Sequence, residues 1–413
     1  MGAVDELDDV ILENILGRLD AKSLLRCRCV SRDWNYVITD PYFINNSRAR
    51  RMIFVVTDYD NLIHLVDDND RPTHSMLQFH DSFDYYFKNF SSHIYVDEYS
   101  YLCNRVRVLG TLNGIVLLQI YGGIYAKHPP SCEGYLMLYN PFIDESLLLP
   151  LATPYRYCVL PRYWDSDCGW DHEDDFPHYT VYAFGFGYGR GTPDDWKIVR
   201  FREYNKRCRY NDCSGGVCEI FSLKTYTWSK PQEMNIKHIV FETTVGTFLN
   251  GFLYWIASRM DKLLVLDVEK IQVSEMHLPF QRSYRETQRC DRSHLGTING
   301  CLCFLNRSIN DTDFNLWVMK DQADENSWFK RCSFTLAKDV GRDPHHFVCI
   351  LYNGRIVMEN EGKLHIYDTS DDSYTSTDIS VRTGERSLAI NGIEYVETLV
   401  SLSAISSQQL LAS

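Results

Sequence analysis

A short pattern, Gly-Thr-x-Asn-Gly preceded by an aliphatic residue, recurs down this chain and constrains its fold more than any other feature. It stands as Leu109-Gly-Thr-Leu-Asn-Gly114, as Val245-Gly-Thr-Phe-Leu-Asn-Gly251 with one extra residue, and as Leu295-Gly-Thr-Ile-Asn-Gly300; a reduced copy is Leu351-Tyr-Asn-Gly354. Asn-Gly between apolar runs is a tight hairpin signal, because the favoured two-residue turn needs positive φ at both positions. Each copy leads to an apolar strand ending in Asp or Asn, a polar turn and a closing strand: Leu138-Tyr-Asn-Pro141 to Leu149-Pro150, Leu266-Asp267 to Leu278-Pro279, Leu316-Trp-Val-Met319 to Trp328, and Ile366-Tyr-Asp368. The glycines at 251, 300 and 354 are 49 and 54 residues apart, and the gap of 137 between Gly114 and Gly251 leaves room for one more unit, placed at residues 182–228. An imperfect first unit is expected at 52–67, with Met76-Leu-Gln-Phe79 beyond it.

Such strands cannot bury their apolar faces alone. Stacking small sheets radially buries those faces and protects the edges, and the period is that of kelch-type blades. The expectation is a β-propeller of about six blades. A β-sandwich also accommodates short strands at regular spacing and stays open at this point.

The first 47 residues differ in kind. Leu7, Ile11, Ile15 and Leu19 recur every four residues with Leu12 and Leu16 beside them, and Asp8 stands where a carboxylate caps a helix. A second helix is expected from about Asp20, with Leu24, Leu25 and Val30 on one stripe and Trp34 before the stop signal Thr39-Asp40-Pro41. About 40 residues cannot bury so many large side chains unaided, so part of this surface is expected to meet another protein.

The ordered set Leu7, Leu12, Ile15, Leu19, Leu24, Cys29-Val30-Ser31-Arg32-Asp33-Trp34 resembles an F-box, with Asp8 and Asp20 where that family commonly has proline. The rest resembles the F-box-associated domain of plant F-box proteins, on Leu138-Tyr-Asn-Pro141, Phe184-Gly-Phe-Gly-Tyr188, Lys197-Ile-Val-Arg200, Ile220-Phe-Ser-Leu223, Trp317-Val-Met-Lys320 and the closing segment Tyr395-Val-Glu-Thr-Leu-Val-Ser401. The expected organisation is α+β and multidomain: a helical F-box over 1–47, an all-β, kelch-like propeller over 48–405, and a tail over 406–413. The resemblance implies a substrate-recognition subunit of an SCF-type cullin ubiquitin ligase, itself without catalysis. Leu7, Leu12, Ile15, Leu19, Leu24, Cys29, Val30 and Trp34 would then bind a Skp-family adaptor and, through it, cullin, with Trp34 as the expected hot spot. The β-domain would hold a protein target. A non-proteolytic F-box scaffold is the alternative, with a propeller lectin or hydrolase behind it.

Charge and motifs narrow the chemistry. A net charge of −13 argues against nucleic acid as the main partner, because phosphate neutralisation needs clustered Lys and Arg, and Arg48-Ala49-Arg50-Arg51 is only a short junction run. No signal-peptide stretch and no apolar run of membrane-spanning length is expected, which points to cytoplasm or nucleus. The 14 cysteines are therefore expected to be thiols. Cys27-x-Cys29 and Cys301-x-Cys303 lack zinc-site spacing. Gly185-Phe-Gly-Tyr-Gly-Arg-Gly191 lacks the third glycine of a dinucleotide loop and the Lys-Ser/Thr of a P-loop, so it is expected to be an inter-strand turn. His345 and His346, adjacent on a strand, point to opposite faces. No metal or cofactor is expected. The acidic, aromatic insertion at 163–178 supplies Trp164, Trp170, Asp171 and His172 as candidate target contacts, since loops mixing Trp with acids are common recognition surfaces.

Overall fold

A computed structural model describes residues 9–19, 21–39, 51–57, 63–67, 105–121, 135–150, 178–205, 214–234, 240–241, 243–258, 262–279, 293–307, 313–322, 324–335, 346–360, 363–371, 373–378 and 390–403. Among these residues the strands form six antiparallel sheets. Blade 2 runs Arg105–Leu112, Ile115–Tyr121, Tyr135–Asn140, Glu145–Leu148. Blade 3 runs His178–Gly189, Thr192–Asn205, Ser214–Ser222, Thr227–Trp228, with Gln232–Met234 also on the third strand. In blade 4, Val240–Phe241 and Thr247–Leu249 share the partner Phe252–Ser258, followed by Lys262–Asp267 and Gln272–His277. Blades 5 and 6 are Ser293–Ile298, Cys301–Arg307, Asp313–Met319, Trp328–Thr335 and His346–Ile350, Ile356–Asn360, Lys363–Asp368, Ser373–Asp378. The first strands of successive blades touch in order around a closed ring, so the protein is a six-bladed β-propeller.

Blade 1 closes that ring. Its inner strand is Ile390–Val396, paired along its whole length with Arg51–Thr57, which in turn pairs with Ile63–Asp67. Met52, Phe54 and Val56 on one face, with Tyr395, pack against Val106, Val116, Leu118 and Tyr139 of blade 2. Ile53 and Val55 on the other face pack against Val348, Val357 and Leu364 of blade 6. The expected extension at Met76-Leu-Gln-Phe79 lies outside the described residues.

The Asn-Gly signal is realised three times. Asn113 and Gly114, Asn250 and Gly251, and Asn299 and Gly300 all have positive φ, the geometry that matches the twist of the flanking strands. At the fourth copy only Gly354 does, and the turn is longer, with the Leu351 N–H donating to the Arg355 carbonyl. The segment 185–191, expected to be an inter-strand turn, is one only at Arg190 and Gly191; Gly185 to Gly189 belong to the inner strand of blade 3, because the alternating aromatic residues are buried on one of its faces. Phe184, Phe186 and Tyr188 face the core shared with blade 2, while Gly185 and Gly187 face blade 4. A Cβ on Gly185 would lie 2.7 Å from both Leu253 and Trp255, and one on Gly187 would overlap the Phe248 ring. The glycines thus let two blades approach at the crowded hub, where any side chain would overpack.

The helical module has three helices, not the two that periodicity suggests: α1 Asp9–Leu16, α2 Ala21–Cys27 and α3 Arg32–Thr39. The second helix ends early because Ser31 caps a new one, its Oγ accepting the Trp34 N–H at 3.1 Å. Arg28, Cys29 and Val30 become the turn between them, closed by Cys29 and Val30 N–H groups donating to the carbonyls of Arg26 and Cys27. Val30 is therefore not on an α2 stripe.

Candidate functional site

Two apolar stripes run down α1, about 100° apart on the helix. Leu12 and Leu16 point inward and join Leu24, Val37 and Ile38 in a buried cluster, with Leu19, Cys27 and Trp34 packed against it. Ile11 and Ile15 point outward, 50% and 48% exposed; with Val30 at 62% and Tyr36 at 75% they are the large exposed apolar side chains among the module's described residues. The Arg28 guanidinium donates to Asn35 Oδ1 at 2.9 Å, tying the α2–α3 turn to α3 beside these residues.

This divides the adaptor-binding set expected from the sequence. Ile15, Cys29 and Val30 are exposed; Leu12 and Leu24 are in the buried cluster; Leu19 and Trp34 are half-buried against it. Leu7 lies outside the described residues. Ile11 and Tyr36, absent from that set, are exposed as well. Ile11 was readable as part of a four-residue stripe, but nothing in the local pattern marks Tyr36 as outward-facing.

The buried cluster is completed by the propeller. Leu399, from the segment after the closing strand, is one of its buried members, and Phe142 and Ile143, from the turn between the third and fourth strands of blade 2, pack on it. The module is thus seated on the ring end that carries the Asn-Gly turns. Alternation of strand direction puts the ends flanking the 163–178 insertion, at Pro150 and His178, on the opposite end of the ring. Trp164, Trp170, Asp171 and His172 themselves lie outside the described residues.

Blade 3 holds a buried ionic cluster. Glu219 Oε2 receives Arg200 Nε at 2.7 Å and lies 2.6 Å from Arg202 Nη2, with Arg200 4%, Arg202 2% and Glu219 1% exposed. The Arg200 guanidinium also lies over the Trp228 ring, 4.4 Å from its centroid. Trp228 Nε1 donates to the Pro150 carbonyl and Tyr226 Oη to the Leu148 carbonyl, so the cluster is roofed by a seam joining blades 2 and 3. Two guanidinium groups sharing one carboxylate beneath an aromatic ring read as a packing device.

Among the described residues, no group of three or more His, Cys, Asp or Glu is placed to hold a metal ion, and no helix is long and apolar enough to cross a membrane. Seven described cysteines are free thiols. Burial pushes the Cys218 thiol up to about 12 and raises those of Cys303 and Cys349 still further, whereas Cys29 is exposed. The thiolate is the reactive form. An alkylating reagent at pH 8 is therefore expected to modify Cys29 and leave Cys218, Cys303 and Cys349 protected until the chain is denatured. Peptide mapping by mass spectrometry checks this, and early labelling of Cys303 would contradict its burial in the cluster shared by blades 5 and 6.

Comparison with known proteins bears on both parts of the chain. Residues 147–402 match the family described as F-box associated beta propeller domain, and residues 4–46 match the F-box domain. An F-box/kelch-repeat protein of Arabidopsis thaliana is 21% identical over 388 residues, covering 89% of this chain and 85% of its own. F-box protein CPR1 of Arabidopsis thaliana is 23% identical over 346 residues, covering 79% of this chain and 72% of its own.

Proposed function

Since the chain belongs to the family of plant F-box proteins with an F-box associated beta propeller domain, we propose that it is the substrate-recognition subunit of an SCF-type ubiquitin ligase. The observation that carries this is the outward apolar face of the module. Ile11, Ile15, Val30 and Tyr36 stay exposed although Leu12, Leu16, Leu24, Val37 and Ile38 are buried in a cluster that the propeller completes. Isolated apolar residues on a surface are ordinary, but four within a module of three short helices supply the apolar surface that a partner covers. A Skp-family adaptor takes that face, and cullin is recruited through it.

The β-domain supplies the target site, and a location on the ring face away from the adaptor is supported by the strand ends that flank the insertion, at Pro150 and His178. Trp164, Trp170, Asp171 and His172 remain the candidate contacts. The protein contributes no reactive group in this scheme. It raises the local concentration of its target near the ubiquitin-charged enzyme, which accelerates transfer by proximity. Such assemblies work in the cytoplasm or nucleus, compartments that keep thiols reduced.

The test is co-purification with a Skp-type adaptor. Wild type is expected to be captured stoichiometrically, and Ile15→Asp with Val30→Asp to weaken capture by about 30-fold or more, the equivalent of ~2 kcal/mol lost at an interface centre. Both positions are exposed, so the module stays folded. Equal capture of wild type and variant would place the adaptor elsewhere, and no capture of wild type would remove the receptor reading.

A further inference from the structure

We propose that residues 397–402 are a joint that locks the helical module to the propeller, so that the two move as one body and the module's fold depends on closure of the ring. The inference stands on the packing of this chain alone and needs no adaptor.

The segment leaves the closing strand at Val396 and crosses blade 2. There it is held at four points. Asn140, fully buried in the Leu138-Tyr-Asn-Pro141 motif, donates from Nδ2 to the carbonyls of Thr398 at 3.1 Å and Val400 at 2.8 Å, while its Oδ1 accepts the Phe142 N–H. Glu145 accepts from Ser401 Oγ at 2.7 Å and from the Leu402 N–H at 2.7 Å. Gly114 lies directly beneath, where a Cβ would overlap the Val396 carbonyl and come within 2.6 Å of Thr398 Cβ. Leu402 is buried on the other side, in the core between blades 2 and 3.

Leu402 goes into the ring while Leu399 goes into the module, where it meets Leu12, Leu16, Leu24, Val37 and Ile38. Three helices of seven or eight residues cannot hold a core of that size unaided. Leu399, Phe142 and Ile143 supply the missing wall. Both ends of the segment are thus committed: its polar backbone groups to blade 2, and its apolar side chains to two different cores.

The experiment is hydrogen–deuterium exchange on the full chain, comparing wild type with Leu399→Ser and, separately, Ile143→Ser. Ile143 is in a turn of blade 2, outside its strands, and packs on the module cluster, so that second variant spares the strand pairing. The expected result for each is exchange of the α1 and α3 amides faster by about tenfold or more, because local opening no longer exposes a shared apolar wall. Protection in blades 3, 4 and 5 stays as in wild type. Unchanged exchange in α1 and α3 in both variants would overturn the proposal, since the module would then fold without its seat. Faster exchange throughout the ring in Ile143→Ser would also overturn it, because the seat would then be part of the propeller core and not a joint. Adaptor capture is measured separately, so failure of the receptor reading leaves this outcome untouched.

Discussion

Glu219→Gln is expected to destabilise the folded chain by about 3–5 kcal/mol, the cost of leaving buried charge without its counter-ion. Glu219 sits opposite Arg200 in the pairing of the second and third strands of blade 3, and Arg202 is two residues further along the same face. Glutamine keeps the volume and one acceptor oxygen but removes the negative charge, so packing losses are small and the electrostatic loss is isolated. The denaturant midpoint, followed by near-ultraviolet circular dichroism, gives the measurement. Arg200→Met, Arg202→Leu and Glu219→Leu together remove the desolvation cost along with the attraction and are expected to recover most of the stability. A midpoint for Glu219→Gln within experimental error of wild type would show that water or neighbouring groups already neutralise the guanidinium pair.

The second large effect is expected at Gly114→Ala, at about 3 kcal/mol, from two independent sources. Gly114 has φ of +78°, a conformation that costs an L-residue roughly 1–2 kcal/mol. The added methyl also meets the Val396 carbonyl and Thr398, which are backbone and near-backbone atoms that cannot swing aside. Overpacking against such atoms typically costs about 1–3 kcal/mol. Gly300 provides the control. It shares the turn geometry, with φ of +75°, but a Cβ there would meet nothing within 4 Å. Gly300→Ala should therefore show the conformational cost alone, and the difference between the two midpoints measures the steric part. Equal losses at both positions would mean that the segment after Val396 yields easily, against the anchoring by Asn140 and Glu145.

The propeller was legible because hairpin chemistry is local. Asn-Gly pairs mark their own turns, and their spacing carried the blade period with them. The inner strand of blade 3 was misread at its end, because the glycines of Gly185 to Gly191 read as turn residues, whereas the structure uses Gly185 and Gly187 for close approach between blades within a strand. Ring closure by residues 390–396 was not readable from pattern, since pairing between positions more than 300 residues apart leaves no local trace. The broken second helix had its signal in Ser31, a strong capping residue, but an apolar run continuing through Val30 outweighed it. At the module surface the obstacle was ambiguity. Leu12 with Leu16 and Ile11 with Ile15 have the same four-residue spacing, and periodicity does not say which pair is packed at home. That choice was made by Leu399, Phe142 and Ile143, from distant parts of the chain.

The inner strand of the first blade is the last of the described strands to emerge from the ribosome. At about 5–20 residues per second, roughly half a minute separates synthesis of Arg51–Thr57 from synthesis of its partner. During that interval Met52 to Val56, fully buried in the finished ring, lack their inner neighbour and present a bare apolar edge, the kind of surface that chaperones hold. A transcript or ribosome that stops short of residue 396 therefore yields a chain with an open ring and an unseated module, however complete its other five blades. Full-length synthesis is in this way a precondition for both halves of the molecule, and damaged messages should yield chains that are cleared rather than chains that compete.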